Sequence, residues 1–112
     1  MSKDLNFDVQ VISVYGTGGG EGTAKFGCSS EDLAIAEKFV DKEKLLKFVI
    51  EGAEEDPMFG YIANTHSSYT GKFPRYFGVK FDAGEKVKVG QLLTLTGLDI
   101  KLKVVITDED EE

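Results

Sequence analysis

Residues 92–106 read LLTLTGLDIKLKVVI. Leu93 and Leu95 alternate with Thr94 and Thr96, Gly97 follows, and Ile100, Leu102 and Val104 then alternate with Lys101 and Lys103. Strict alternation is the mark of a strand with one face in a core, and a glycine between two such runs marks a turn. The stretch predicts a hairpin and makes sheet the framework of the fold. Upstream, KVKVG (86–90) reads as a short strand. RYFGVKF (75–81) is a strand with Pro74 at its mouth, where a missing N–H does least harm. MFGYIAN (58–64) is a further strand, and THSSYTG (65–71) is a loop.

The N-terminal stretch LNFDVQVISVY (5–15) also alternates, with Leu5, Phe7, Val9 and Val11 on one face and Asp8 and Gln10 on the other. Ile12 and Val14 then place apolar groups on the second face. Either a bulge lies near Val11–Ser13 or both faces are covered there. Residues 16–22, GTGGGEG, are too rich in glycine to hold a regular element, so the run reads as a hairpin tip before TAKFG resumes an extended course. Ser29 with Asp32 three residues on resembles a capping box. Leu33, Ala36, Phe39 and Val40, then Leu46, Val49, Ile50 and Ala53, form stripes at helical spacing, with Asp41 at the junction as an alternative second cap. These signals predict one helical segment near 30–52, ended before Pro57.

The expected fold is therefore α+β: a small, mostly antiparallel sheet of about six strands with one helical segment. A single domain would fill residues 1–107, and DEDEE (108–112) would be a disordered acidic tail, because a block of like charge repels itself. An OB-like barrel is a special case of this class. The segment KVGQLLTLTGLDIKL resembles the glycine, alternating run, glycine, alternating run of many OB-fold strands.

Charge is unevenly placed along the chain of net charge −7. Residues 1–71 hold 6 Lys against 12 Asp and Glu, residues 72–107 hold 7 Lys and Arg against 3 acids, and the last five residues are all acidic. Such asymmetry points to an anionic partner or to self-interaction. No apolar run is long enough to span a bilayer. The start MSKDLNFDVQ lacks a basic-then-apolar leader, and the lone Cys28 suits a reducing compartment, so a cytoplasmic location is expected.

No local motif carries chemistry. The glycine run has Glu21 where a dinucleotide loop needs glycine, and Gly22 is followed by Thr-Ala, not by the Lys-Ser/Thr of a phosphate loop. Cys28 and His66 are the minimum for thiol catalysis, but Cys28 reads as a small buried residue and His66 as a solvated loop residue. One Cys and one His make no zinc site without two carboxylates, and no calcium loop is present. No metal, cofactor or enzymatic activity is expected.

The strongest functional signal is YTGKFPRYFGVKF (69–81), a run of aromatics interleaved with cations. Single-stranded nucleic acid is held by aromatic faces that stack on bases and by cations that follow the phosphates. On a strand from Arg75, the residues Arg75, Phe77 and Val79 share one face, and Tyr76, Gly78 and Lys80 the other. Phe77, Val79 and Phe81 would fill the core, and Tyr76 and Lys80, with a gap at Gly78, would form a stacking face. Tyr69, Lys72 and Phe73 lie on the preceding loop. Lys101 and Lys103, with Lys86 and Lys88, would extend the surface. The candidate binding set is Tyr69, Lys72, Phe73, Arg75, Tyr76, Lys80, Lys101 and Lys103. The plan of a β-rich core with an acidic tail resembles that of many bacterial and phage single-strand-binding proteins, although no aromatic or apolar residue closes this tail. The alternative is a protein-directed inhibitor, accessory factor or assembly subunit. Its acidic residues Glu31, Asp32, Glu37 and Asp41, with Glu51 to Asp56, would face a basic partner protein.

Overall fold

A computed structural model describes residues 2–16, 22–41, 43–67, 75–81 and 86–107. In chain order these form β1 (Ser2–Gly16), β2 (Gly22–Cys28), α1 (Ser30–Glu37), β3 (Leu46–Ile50), β4 (Met58–His66), β5 (Arg75–Phe81), α2 (Lys86–Leu93) and β6 (Asp99–Thr107). The strands close into a barrel in the order β1-β2-β5-β4-β3-β6, and every neighbouring pair is antiparallel. The described residues form a six-stranded antiparallel barrel with two short helices, and most of them lie in the sheet.

The alternation in the sequence becomes the inside and outside of the barrel. Phe7, Val9 and Val11 of β1, Ala24, Phe26 and Cys28 of β2, and Phe77, Val79 and Phe81 of β5 are all buried. Leu46 and Phe48 of β3, Ile62 of β4, and Leu102 and Val104 of β6 complete the filling. Interior positions of small barrels are filled by side chains, and here the largest are rings. Phe77 lies 5.5 Å from Phe7 and 5.6 Å from Phe26, and Phe81 meets Phe48 edge-on at 6.0 Å. Tilted and edge-to-face pairs are the favoured geometries for such rings.

β1 pairs along Ser2–Gln10 with β6 and along Gln10–Gly16 with β2. Its register shifts between Val11 and Ser13. That bulge explains the apolar residues on the second face, because Val14 regains the inward phase opposite the buried Ala24.

The helical segment near 30–52 is corrected. Ser29 caps α1 as expected, its Oγ accepting from the Asp32 N–H at 3.1 Å, but the helix stops at Glu37. Val40 then bridges to Ile62, and the Asp41 N–H donates to the Ile62 carbonyl at 3.2 Å. Asp41 caps a turn, accepting from the Glu43 N–H at 2.9 Å, and does not start a second helix. Residues 46–50 form β3. Leu46, Val49 and Ile50 satisfy a helical period, but Leu46, Phe48 and Ile50 satisfy a period of two, and pairing with both β4 and β6 decides between them.

The hairpin at 92–106 is also corrected, because only its second half is strand. Residues 86–93, including the KVKVG read as strand, form α2, whose Val89 and Leu92 are buried one helical turn apart. Gly97, at φ +84°, ends the connecting turn, and its N–H donates to the Val11 carbonyl at 2.9 Å. The turn is thereby tied to the middle of β1. β4 extends to His66, so Thr65 and His66 belong to a strand and not to a loop.

The helices lie at opposite ends of the β2–β5 ladder. α1 follows Cys28, which pairs with Arg75, and it sets Leu33 and Ala36 into the core. α2 follows Phe81, which pairs with Gly22, and its Val89 rests on Gly22. The C-terminal segment 108–112, Tyr69, Lys72 and Phe73 lie outside the described residues. Among the described residues, no helix is long and apolar enough to cross a membrane.

A Cβ at Gly22 would stand 2.5 Å from Val89 Cγ2, against a buried branched side chain with little freedom to yield. Gly22→Ala is expected to lower stability by about 1–3 kcal/mol through overpacking. Phe77→Ala, which empties the centre of the ring cluster, is expected to cost about 3–5 kcal/mol. The outward Lys80→Ala should stay within about 0.5 kcal/mol. Urea unfolding followed by circular dichroism tests this order, and equal losses for Phe77→Ala and Lys80→Ala would contradict the inside–outside assignment.

Candidate nucleic-acid interface

Strands β1, β2, β5 and β4 are consecutive in the barrel, and their outward residues fall into three rows. The first row is Gln10, Gly27, Tyr76 and His66; the second is Ser13, Lys25, Gly78 and Asn64; the third is Tyr15, Thr23, Lys80 and Tyr61. Strand spacing makes this face about 14 Å across, and successive rows lie about 7 Å apart. Three tyrosines, one histidine and two lysines thus meet on a surface drawn from residues 10–80.

The aromatic groups are already engaged with one another. The His66 and Tyr76 rings stack with centroids 5.0 Å apart and planes inclined by 19°. From the other neighbouring strand, the Lys25 ammonium stands 5.3 Å from the Tyr76 centroid. Tyr76 is therefore flanked by a cation from β2 and an imidazole from β4. Lys25 also stands 5.9 Å from the Tyr15 ring, which is 54% exposed. Such contacts hold a cation over a ring by attraction to its quadrupole. Beside Lys25 in the register, the Ser13 Oγ is buried and has no hydrogen-bond partner among the described residues.

The gap expected at Gly78 is filled. The Asn64 side chain lies over it, with Oδ1 only 2.7 Å from where a Cβ would stand. The stacking face is consequently not a slot between Tyr76 and Lys80.

The charge content of the strand segments on this face differs from that of the other described segments. The segments Gln10–Gly16, Gly22–Cys28, Met58–His66 and Arg75–Phe81 contain no Asp or Glu, but they carry Lys25, Arg75, Lys80 and His66. Among the described residues, no carboxylate forms an ion pair with Lys25 or Lys80.

The candidate residues divide accordingly. Tyr76 and Lys80 share the outward face. Arg75 opens β5 in the inward phase, opposite Cys28 at the α1 end. Lys101 and Lys103 are exposed, but β6 is three strands from β5 in either direction around the barrel, so they do not extend this surface. They sit among acids. Lys101 pairs with Asp8 at 3.5 Å, and Lys103 lies in a depression of about 260 Å³ with Asn6, Glu51 and Glu54. The Glu54 carboxyl is held below its usual range by the Gly52 N–H and, to a lesser degree, by Lys103. Lys86 and Lys88 lie on α2, not on a strand. Tyr15, Lys25, Tyr61 and His66 were missed from the candidate set. The alternation of Lys25 with Ala24 and Phe26 already marks it as outward-facing, but no local signal says that β2 and β4 flank β5.

Cys28 and His66 lie on opposite sides of the sheet. Cys28 is buried at the inner face, and His66 is exposed outside. Burial, with a smaller contribution from Asp32, pushes the Cys28 thiol up from 9.0 to about 12. Among the described residues, no group of three or more His, Cys, Asp or Glu is placed to hold a metal ion. The chain matches no family model, no curated protein and no solved structure.

The raised thiol has two measurable consequences. Native protein should resist a thiol reagent at pH 8, and urea-unfolded protein should react at once, because thiolate is the nucleophile. Stability should also fall as pH rises from about 9 toward about 12. Over that window the unfolded chain has released the Cys28 proton and the folded chain still holds it, so rising pH favours unfolding. Cys28→Ala should lessen this alkaline loss. An unchanged pH dependence in that variant would assign the loss to other groups.

Proposed function

We propose that this chain is a non-enzymatic protein that binds single-stranded nucleic acid across the outer face of β1, β2, β5 and β4. The observation that carries the proposal is a sector with no Asp or Glu among its described residues, in which Tyr15, Tyr61, Tyr76 and His66 are interleaved with Lys25 and Lys80. Rings give a surface on which any base can stack, and cations track the backbone, so the chemistry suits a strand without sequence preference. A rigid sheet holds these groups in place without ordering a loop. Small closed barrels that present one sheet face to a strand follow the OB-type arrangement, although that type has five strands and this barrel has six.

The acidic remainder has its own reading. Glu31, Glu37 and Asp41 around α1, and Glu51 and Glu54 to Asp56 in the β3–β4 turn, are exposed. They suit a basic partner protein and are the surface to examine if nucleic acid does not bind.

Titration of a fluorescent oligo-dT by anisotropy tests the proposal. Binding should be saturable and should weaken as salt rises. Lys80→Ala should reduce the log–log salt slope by about 0.7, as expected for one lost contact to a single strand. Tyr76→Ala should weaken binding by about 1–3 kcal/mol. Lys101→Ala, on the opposite side of the barrel and paired with Asp8, should leave affinity unchanged. Absence of binding at low salt, or an equal effect of Lys80→Ala and Lys101→Ala, would overturn the proposal.

A further inference from the structure

The Lys25 ammonium lies on the diagonal between two tyrosines, 5.9 Å from the Tyr15 centroid and 5.3 Å from that of Tyr76. The register explains the placement. Tyr15 pairs across β1–β2 with Thr23, one row below Lys25, and Tyr76 pairs across β2–β5 with Gly27, one row above it. Gly27 has no side chain, so nothing on β2 competes with Lys25 for the space beside Tyr76. Two aromatic rings converging on one cation form a partial cage of the kind that binds ammonium ligands. Here the occupant is the protein's own side chain.

We infer that the space between Tyr15 and Tyr76 is a nucleobase site that Lys25 fills in the free protein and vacates when a ligand phosphate draws it away. This inference rests on the proposed binding of single-stranded nucleic acid and names the position where a base is held. Lysine suits the role, because its long flexible stem lets the charge move between a ring face and a phosphate at little cost. Among the described residues, no carboxylate anchors Lys25 in place. The departing ammonium exchanges a ring contact for a charge contact, and the incoming base restores the ring contact by stacking. The unpartnered Ser13 Oγ beside Lys25 supplies a polar group next to the site. His66 keeps its place on the far side of Tyr76, so the base enters from the β1–β2 side.

Two ligands separate the roles of Lys25: ordinary oligo-dT and a thymine oligomer with a neutral methylphosphonate backbone. Lys25→Ala should bind oligo-dT more weakly than native protein at low salt, because it loses a phosphate contact. The same variant should bind the neutral oligomer about two- to fivefold more tightly, because no ring–cation contact has to be broken. Tyr15→Leu should cancel that gain, and thermal melting of each variant confirms that it is folded. If native protein binds oligo-dT but Lys25→Ala binds the neutral oligomer no better than native, the displacement inference fails and the binding proposal stands. If native protein does not bind oligo-dT at low salt, the binding proposal fails and the inference fails with it.

Discussion

Closure of the sheet depends on one strand. β1 runs from Ser2 to Gly16 and lends its two halves to different neighbours, β6 along the first half and β2 along the second. Gln10 is the residue that pairs with both. A strand that continues straight through such a handover would turn its apolar side chains outward or lose its partners. The bulge at Val11–Ser13 resolves this by adding a residue where the pairing changes hands. The Gly97 N–H bound to the Val11 carbonyl fixes the same point from outside. The ring cluster follows from strand pairing: Phe26 and Phe77 are register partners on β2 and β5, and Phe7 of the neighbouring β1 meets Phe77 at 5.5 Å.

Strand order assembles the outer face. Tyr15, Lys25, Tyr61, His66 and Tyr76 are scattered through the first two thirds of the chain, and the order β1-β2-β5-β4 makes them neighbours. Inner and outer faces are independent in their demands. Phe77 and Tyr76 are adjacent in sequence, yet one is packed among rings in the core and the other stands between Lys25 and His66 outside. A strand that satisfies the core with every second residue leaves the alternate residues to face a partner.

Where one period dominated, the sequence was legible. β5 was read with its observed bounds, and the inward set Phe77, Val79 and Phe81 follows from alternation alone. Residues 46–50 and 86–96 were ambiguous because their apolar groups fit both periods. In the first case barrel closure selects strand, and in the second packing of Val89 and Leu92 under the barrel selects helix. The candidate site was legible only along a single strand. Tyr76 and Lys80 share a face by parity, but Lys25 and His66 join them through strand order, which depends on long connections that no local pattern encodes. Lys101 and Lys103 face away from the core as their alternation predicts, but topology sets them on another side of the barrel.

The segregation of charge has a further consequence. Among the described residues, carboxylates gather around α1, the first half of β1 and the β3–β4 turn, and one sector of the barrel has none. The described residues hold 11 Lys and Arg against 12 Asp and Glu, so their charge is nearly balanced in sum but unevenly placed. Because salt screens charge beyond about 10 Å, a charged group near the surface meets the local balance of one face, not the sum over the chain. Net charge alone would rank this protein among those that avoid phosphates. The arrangement makes charge a property of each face, so the sum over the chain describes neither the acidic faces nor the lysine-bearing one.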